Sequence, residues 1–206
     1  MIRQEPSQRE RAVGMLKDRG MARLSELVAG GVTAACVSRL EREGVVVRLS
    51  RGLYQLADAP LSTEHDLAEA AKLVPRGVVC LVSALAFHEL TDRIPSKVWL
   101  AIGPKDWRPR IFHPPIRFVR FPPERLEAGL RTHDVEGVPV RITEPSHTVV
   151  DLFRYRRQVG LDLAIGGLKA ALRTRTATPA EVARIAADAR VWPAMRPYLE
   201  ALTIDG

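Results

Sequence analysis

Cysteine is scarce in this 206-residue sequence, which contains only Cys36 and Cys80. Two thiols cannot build a disulfide framework or a four-thiolate zinc site. Long apolar runs are also missing, because the longest, residues 78–87, is about half of the ~20 residues that a membrane-spanning helix needs. Residues 1–7 lack the apolar core of a secretory signal. We therefore expect a cytoplasmic protein that has no membrane partner.

Motifs of the common enzyme classes are missing as well. The sequence contains no phosphate-binding Gly-x-x-x-x-Gly-Lys, no Gly-x-Gly-x-x-Gly, no Gly-x-Ser-x-Gly and no His-Glu-x-x-His. His147 and Asp151 are four residues apart, a spacing that could hold a metal, but no third ligand is spaced near them. His88 is best interpreted as a hydrogen-bonded, partly buried side chain. We expect no enzymatic activity, no metal and no cofactor.

Positive charge is in excess and is unevenly distributed. The chain has 31 Lys plus Arg against 24 Asp plus Glu, and only five of the 31 are Lys. Residues 1–60 hold ten basic and seven acidic groups, and residues 105–125 hold six and two, so these segments carry the imbalance. Arginine suits phosphates and base edges, which indicates an anionic partner. A GC-rich genome would also enrich Arg, together with Ala.

The first sixty residues have the order of a winged helix-turn-helix. Three stretches combine apolar residues at helical spacing with capping or Gly signals, at 7–19, 23–28 and 33–43. Two apolar runs, 45–49 and 53–56, flank a Gly-containing turn and predict a β-hairpin. In a winged helix the third helix enters the DNA major groove and the hairpin follows the backbone or minor groove. A helical bundle whose hairpin contacts proteins is the alternative.

Candidate DNA contacts lie on the outward side of the third helix and on the hairpin. Cys36, Val37 and Leu40 take the inward positions of that helix. The remaining positions offer small residues for close approach, hydrogen-bonding groups for base edges, and a helix N-terminus for phosphate. Arg side chains at the hairpin turn suit phosphate contacts. The predicted DNA-binding residues are Thr33, Ala34, Ser38, Arg39, Arg42, Arg48, Ser50 and Arg51.

The rest of the chain predicts a mixed α/β domain with a helical C-terminal third. A boundary at 58–60 divides the chain into a winged helix over 1–58 and a second domain over 61–206. The predicted strands are 78–82, 97–102, 116–121 and 138–142. The predicted helices are 62–73, 84–90, 144–157, 162–172, 179–190 and a last one after Pro193. Because strands precede most of these helices, the fold class is α+β.

A second basic segment, residues 105–125, mixes cations with aromatic and Pro residues. Its candidate surface residues are Lys105, Arg108, Arg110, Arg117 and Arg120. Aromatic rings among cations can stack on bases, so this segment could extend a DNA footprint or meet RNA or an acidic protein. Alternatively, the aromatic residues belong to the core and the Arg side chains form a solvated face.

Four short motifs resemble the AbiEi-type antitoxin family of type IV toxin–antitoxin systems. They are Arg-Gly-Leu-Tyr at 51–54, Ser-Ala-Leu-Ala-Phe-His at 83–88, Val-Trp-Leu-Ala-Ile at 98–102 and Glu-Pro-Ser-His-Thr-Val-Val-Asp at 144–151. In order and spacing the resemblance covers about residues 7–160.

The resemblance implies a DNA-binding repressor that regulates its own operon and counteracts a nucleotidyltransferase-like toxin. The expected partners are double-stranded operator DNA upstream of the gene and a cognate toxin, contacted directly or indirectly. A palindromic operator would imply a homodimer on DNA. One alternative is a winged-helix regulator whose C-terminal domain binds a small effector and that has no toxin partner. The other is a nucleic-acid enzyme, which would need clustered acidic or His side chains in one cleft.

Overall fold

A computed structural model describes residues 5–204, which form eleven helices and eight strands. The helices are α1 (Gln8–Arg19), α2 (Leu24–Ala29), α3 (Ala34–Arg42), α4 (His65–Leu73), α5 (Leu81–Phe87), α6 (Pro123–Glu127), α7 (Pro145–Arg154), α8 (Arg156–Val159), α9 (Leu161–Arg173), α10 (Pro179–Asp188) and α11 (Trp192–Ile204). The strands are β1 (Met21–Arg23), β2 (Val46–Ser50), β3 (Leu53–Leu56), β4 (Val78–Val79), β5 (Val98–Ile102), β6 (Ile116–Arg120), β7 (Leu130–Val135) and β8 (Val138–Thr143).

The chain divides into two compact units. Unit 1 comprises the residues up to Pro75 together with Ile111–Pro114 and His133–Val140. Unit 2 comprises Arg76–Arg110, Pro115–Thr132 and the residues from Arg141 onward. The domain division at 58–61 stays a prediction, because a compact unit is not by that fact a segment that folds independently.

Unit 1 contains the winged helix. Helices α1 to α3 pack around a common core that includes Leu16, Leu27 and Leu40. The three-stranded antiparallel sheet has the order β1-β3-β2, with β2 and β3 forming the predicted hairpin. Strand β1 was not predicted, because three residues make a strand only through pairing with β3.

Local capping signals explain where α1 begins and ends. The Ser7 hydroxyl accepts a hydrogen bond from the Glu10 amide, and the Glu10 carboxylate accepts one from the Ser7 amide, forming a capping box. Gly20 follows the last helical residue with φ +64°, a left-handed angle that glycine adopts without strain. The predicted bounds of the first helix are therefore confirmed.

Unit 2 is built on strands of a mixed five-stranded sheet with the order β6-β5-β4-β8-β7. Strand β5 pairs antiparallel with β4 and parallel with β6, while β4 pairs parallel with β8. Helices α5, α7, α9, α10 and α11 supply most of the remaining buried apolar side chains. The α+β fold class and the helical C-terminal third are confirmed.

The predicted strand over 78–82 was wrong in length, and β4 ends at Val79. Cys80 is the extended N-cap residue of α5, and the helix begins at Leu81. A short uniform apolar run cannot distinguish a buried strand from a buried helix, which explains the error. The helix predicted over 84–90 therefore begins earlier, and Ser83 lies inside α5, where its hydroxyl accepts a hydrogen bond from the Trp99 amide at 2.9 Å.

Candidate nucleic-acid interface

Helix α3 is held at its N-terminus by a cap that links it to α1. The Thr33 hydroxyl accepts a hydrogen bond from the Cys36 amide at 3.3 Å. The same hydroxyl and the Thr33 amide donate to Gln8 Oε1, at 2.8 and 3.1 Å. The Thr33 side chain therefore fixes the position of α3, while the helix end still presents first-turn amides without intrahelical acceptors.

The two sides of α3 differ as the sequence predicts. Cys36, Val37 and Leu40 are buried in the unit 1 core. The outward residues are exposed, and these are Thr33, Ala34, Ala35, Ser38, Arg39 and Arg42. One turn of small side chains thus precedes a turn that carries a hydroxyl and two guanidinium groups.

Exposed ion pairs place a further cation beside the end of α3. The Glu43 carboxylate contacts the Arg9 guanidinium from α1, and Arg39 Nε lies 3.8 Å from Glu43 Oε1. Two cations therefore share one carboxylate, which leaves net positive charge there. Surface ion pairs of this kind contribute little to stability, so Arg39 can exchange Glu43 for another acceptor at small cost.

The wing presents two exposed cations around a tight turn. Arg51 and Gly52 form the turn between β2 and β3, and Gly52 has φ +74° with open space where a Cβ would be. The Leu24 amide donates to the Gly52 carbonyl at 2.8 Å, which anchors the turn to the start of α2. Arg48 and Arg51 are exposed. The Ser50 Oγ is instead buried and interacts with the buried Glu69 carboxyl, whose raised pKa this contact opposes.

This arrangement has the chemistry that duplex DNA recognition needs. The helix N-terminus and the wing cations can contact phosphates, which position a protein without reading sequence. The outward Ser38, Arg39 and Arg42 can reach base edges in a major groove, where Arg pairs most often with guanine. Small side chains at Ala34 and Ala35 permit close approach of the helix.

The second basic segment is largely engaged in contacts within unit 2. The Arg120 guanidinium donates to the carbonyls of Gly103, Pro104 and Asp106 at 2.6–3.3 Å. Two other arginines lie against aromatic rings: Arg117 is 4.3 Å from the centre of the Trp99 ring, and Arg108 is 5.5 Å from that of Phe118. Lys105 and Arg110 are exposed, and Trp107 is 83% exposed between them. Arg108, Arg117 and Arg120 are exposed as well, so these contacts leave the whole segment at the surface.

The two histidines singled out by the sequence have different surroundings. His88 Nε2 lies 2.7 Å from the Thr143 carbonyl oxygen, which confirms that His88 is hydrogen-bonded. His147 and Asp151 face one pocket of unit 2 together with Arg125. Across the described part of the chain, no three His, Cys, Asp or Glu side chains form a group that could hold a metal ion. The expectations of no cofactor and no catalytic activity stay predictions.

The sequence analysis did not predict two residues of α1 that contact α3 and its C-terminal end. Gln8 holds the cap of α3 and Arg9 contacts the Glu43 carboxylate. Their partners lie 25 and 34 positions away along the chain. No local spacing signals such contacts, because they depend on how α1 packs against α3.

Three helices, a small antiparallel sheet and an exposed wing define this part of the chain as a winged helix-turn-helix, a class of DNA-binding folds. Residues 16–57 match the model of a family described as "Transcriptional regulator, AbiEi antitoxin". The resemblance is thereby confirmed over this segment, which contains the first of the four motifs, Arg-Gly-Leu-Tyr at 51–54. That family description is of a regulator and names no catalytic activity.

A solved structure shows a similar fold over most of the chain. The crystal structure of the RV2827C protein from Mycobacterium tuberculosis is similar with a TM-score of 0.56 and 15% sequence identity, covering 89% of this chain and 72% of that chain. No curated protein matches the chain. Among residues 5–204, no helix is long and apolar enough to cross a membrane.

Proposed function

We propose that the protein is a sequence-specific DNA-binding transcriptional repressor of antitoxin type. The observation that carries this proposal is the exposed side of α3 with Ser38, Arg39 and Arg42, on a segment that matches a family of regulators. In this proposal Arg39 and Arg42 read base edges, and Arg48 and Arg51 hold phosphates on either side of the wing.

The charge of unit 1 supports contact with DNA rather than with a protein surface. The exposed cations near α3 and the wing outnumber the carboxylates there, and Glu43 is shared by Arg9 and Arg39. The buried Ser50 Oγ is poorly placed to donate to a phosphate, so in the wing the proposal rests on the two arginines. The five candidate cations of the second basic segment are all exposed, and in this proposal they extend the footprint.

We infer further that the repressor acts on its own operon, as a homodimer on a palindromic operator, in the cytoplasm. Residues 1–58 are proposed as the DNA-binding domain and residues 61–206 as the domain that counteracts a nucleotidyltransferase-like toxin. The description of the matching family includes the word antitoxin, while the match itself lies at residues 16–57, within the proposed DNA-binding domain. A reading frame for such a toxin beside the gene is the expected genetic context.

A reporter experiment tests the repressor role. The DNA upstream of the gene drives a reporter, with the protein supplied from a second promoter. We expect repression by the wild-type chain and loss of repression by Arg39→Ala, because that change removes a proposed base contact from an exposed position. Arg157→Ala, an exposed change on α8, is the matched control and should repress normally. Equal reporter activity with and without wild-type protein would contradict the proposal.

A second experiment tests the antitoxin role separately. The adjacent reading frame is expressed with and without this chain, and growth is measured. Restored growth with wild-type protein and also with Arg39→Ala would show that toxin counteraction does not depend on the DNA contacts. Failure of both proteins to restore growth would remove the toxin from the proposal and leave the effector-binding regulator as the better account.

A further inference from the structure

A polar pocket in unit 2 is unused by the proposed DNA contacts. It has a volume of about 590 Å³ and lies among α6, α7 and α10. Its basic side chains are Arg125, His147, Arg154, Arg184 and Arg190, and its acidic ones are Glu124, Asp151 and Asp188. Small-molecule sites are typically of ~300–1,000 Å³, so the pocket is large enough for a ligand.

The base of the pocket contains buried polar groups with unused hydrogen-bonding capacity. The Arg125 guanidinium contacts the Asp151 carboxylate, and their side chains are only 14% and 3% exposed. His147 lies one helical turn before Asp151 on α7. Within the described residues, Arg125 Nε and His147 Nδ1 are buried and have no hydrogen-bond partner. Such groups cost free energy unless a partner reaches them.

A glycine makes room for the imidazole at this base. Gly129 has φ +55°, and a Cβ at this position would overlap the His147 ring at Nδ1. The Gly129 carbonyl also accepts a hydrogen bond from the Glu144 amide at 2.8 Å, which ties this glycine to the residue before α7. The backbone therefore fixes His147 in its position at the pocket.

The rim of the pocket carries a surplus of cations. Arg184 pairs with Asp188 at 3.5 Å, while Arg154 donates to the Ala189 carbonyl at 3.3 Å. Over residues 5–204, neither Arg154 nor Arg190 forms an ion pair. With Asp151 matched by Arg125 and Asp188 by Arg184, the two guanidinium groups of Arg154 and Arg190 face the single carboxylate of Glu124, so the arginines of the pocket outnumber its carboxylates by four to three.

The cations of the pocket also act on one another. Burial lowers the pKa of the Arg125 guanidinium, and the nearby Arg154 lowers this pKa further. Burial likewise lowers the pKa of His147, with Arg125 as the next cause. The positive charges of Arg125 and Arg154 therefore repel each other, and a bound anion would relieve this repulsion.

We propose that this pocket binds a phosphate-bearing small molecule of about the size of a nucleotide. Phosphate oxygens accept the paired N–H donors of Arg154 and Arg190, which match them in geometry as well as in charge. The buried Arg125 Nε, which has no hydrogen-bond partner within the described residues, supplies a further donor at the base. The proposal goes beyond DNA binding, since it gives unit 2 a ligand of its own.

Calorimetric titration of the full-length chain tests the proposal with three probes: inorganic pyrophosphate, ADP and adenosine. We expect saturable binding of pyrophosphate and ADP and none of adenosine, which lacks the phosphates. The double variant Arg154→Gln with Arg190→Gln should bind ADP at least about tenfold more weakly, because two charge-assisted contacts are lost. The double variant Arg157→Gln with Lys169→Gln, which removes two exposed cations elsewhere, should bind like the wild type.

The winged helix is also basic, so a further variant separates the two surfaces. Arg39→Ala with Arg42→Ala should lose DNA binding and keep the wild-type affinity for ADP. Loss of ADP binding in that variant would place the ligand on α3 and overturn the pocket proposal. Absence of saturable ADP binding to the wild-type chain would overturn it too, as would equal binding by a folded Arg154→Gln, Arg190→Gln variant, with folding checked by circular dichroism.

Discussion

The carboxylate of Asp151 on α7 lies against the guanidinium of Arg125 on α6, and both side chains are almost completely buried. The motif spacing puts Asp151 on one helix face with His147, but nothing in it points to Arg125, which lies 26 positions earlier on a short helix that was not predicted. The acidic residue that ends the Glu-Pro-Ser-His-Thr-Val-Val-Asp motif is therefore the counterion of a buried arginine.

Removal of the Asp151 charge should strongly destabilise the fold. Asp151→Asn leaves Arg125 buried without a counterion, and breaking such a pair costs about 3–5 kcal/mol. Urea denaturation followed by circular dichroism measures the change. The double variant Arg125→Gln with Asp151→Asn should lose less stability than Asp151→Asn alone, because no unpaired charge remains. A free energy of unfolding of Asp151→Asn within about 0.5 kcal/mol of the wild-type value, which is the usual effect of a surface substitution, would show that the ion pair contributes little.

Two glycines with left-handed backbone angles should respond differently to alanine. Gly20 has φ +64°, and a Cβ there would overlap the Glu136 carbonyl oxygen. Gly44 has φ +71°, with nothing within 4 Å of the position that a Cβ would occupy. Gly44→Ala should cost about 1–2 kcal/mol for the left-handed conformation alone. Gly20→Ala should cost clearly more, because the backbone must also move away. Equal free energies of unfolding for the two variants would count against the close packing at Gly20.

Glu69 on α4 predicts a pH-dependent stability. Its side chain is fully buried, and burial raises the pKa of Glu69, against the opposing effect of His113 and His65. As pH rises, the Glu69 carboxyl of the unfolded chain loses its proton at a lower pH than that of the folded chain. The free energy of unfolding therefore falls as pH rises from the ordinary pKa of about 4.5 to the raised value. The nearby Asp66 also raises the pKa of Glu69. His113, which opposes this rise, has its Nε2 atom 3.8 Å from Glu69 Oε2.

Glu69→Gln should remove this pH-dependent loss of stability, because glutamine does not ionise. Thermal unfolding of both chains from about pH 4 to about pH 8 should give similar midpoints at the acid end and a more stable variant at the neutral end. In chains that also carry His113→Ala, the unfolding midpoints with Glu69 and with Glu69→Gln should differ more at neutral pH, because a group that opposes the raised pKa of Glu69 is lost. A constant gap between wild type and Glu69→Gln across the whole range would show that ionisation of Glu69 does not affect stability.

The arginines proposed to contact bases should differ from those proposed to contact phosphates in their effect on sequence preference. Arg39→Ala should reduce the discrimination between operator and random DNA by about 1–3 kcal/mol, while Arg51→Ala should weaken binding to both alike and reduce the salt dependence. Fluorescence anisotropy with both DNAs at several salt concentrations measures the two effects. The same loss of discrimination in both variants would remove the distinction between α3 and the wing.

Features that depend on neighbouring residues were predicted well from the sequence. Ser7 and Gly20 mark the two ends of α1, and Thr33 marks the start of α3, because capping is a contact within one turn. The exposed arginines of α3 and the wing also lie where the apolar spacing placed them. Strands β1 and β7 and helix α6 were missed, since short elements owe their existence to pairing and packing rather than to periodicity.

Contacts between distant segments could not be predicted in the same way. The Gln8 cap on α3, the buried Ser50 hydroxyl and the arginine pocket among α6, α7 and α10 all depend on which elements come together in space. In the second basic segment, Arg120 is exposed, as predicted, and its guanidinium also donates to backbone carbonyls, which the sequence did not indicate. Composition shows how many cations a segment has, and only the fold shows which are already engaged.

Sequence-specific recognition by α3 is tested by comparing the affinity of the wild-type chain for the DNA upstream of its own gene with its affinity for a shuffled sequence of the same composition. The comparison is made by gel shift at about 150 mM salt, a physiological ionic strength that screens non-specific phosphate contacts. We expect affinity for the upstream DNA at least about 10³-fold higher than for the shuffled DNA. Equal affinity for the two DNAs would show that α3 does not read this sequence.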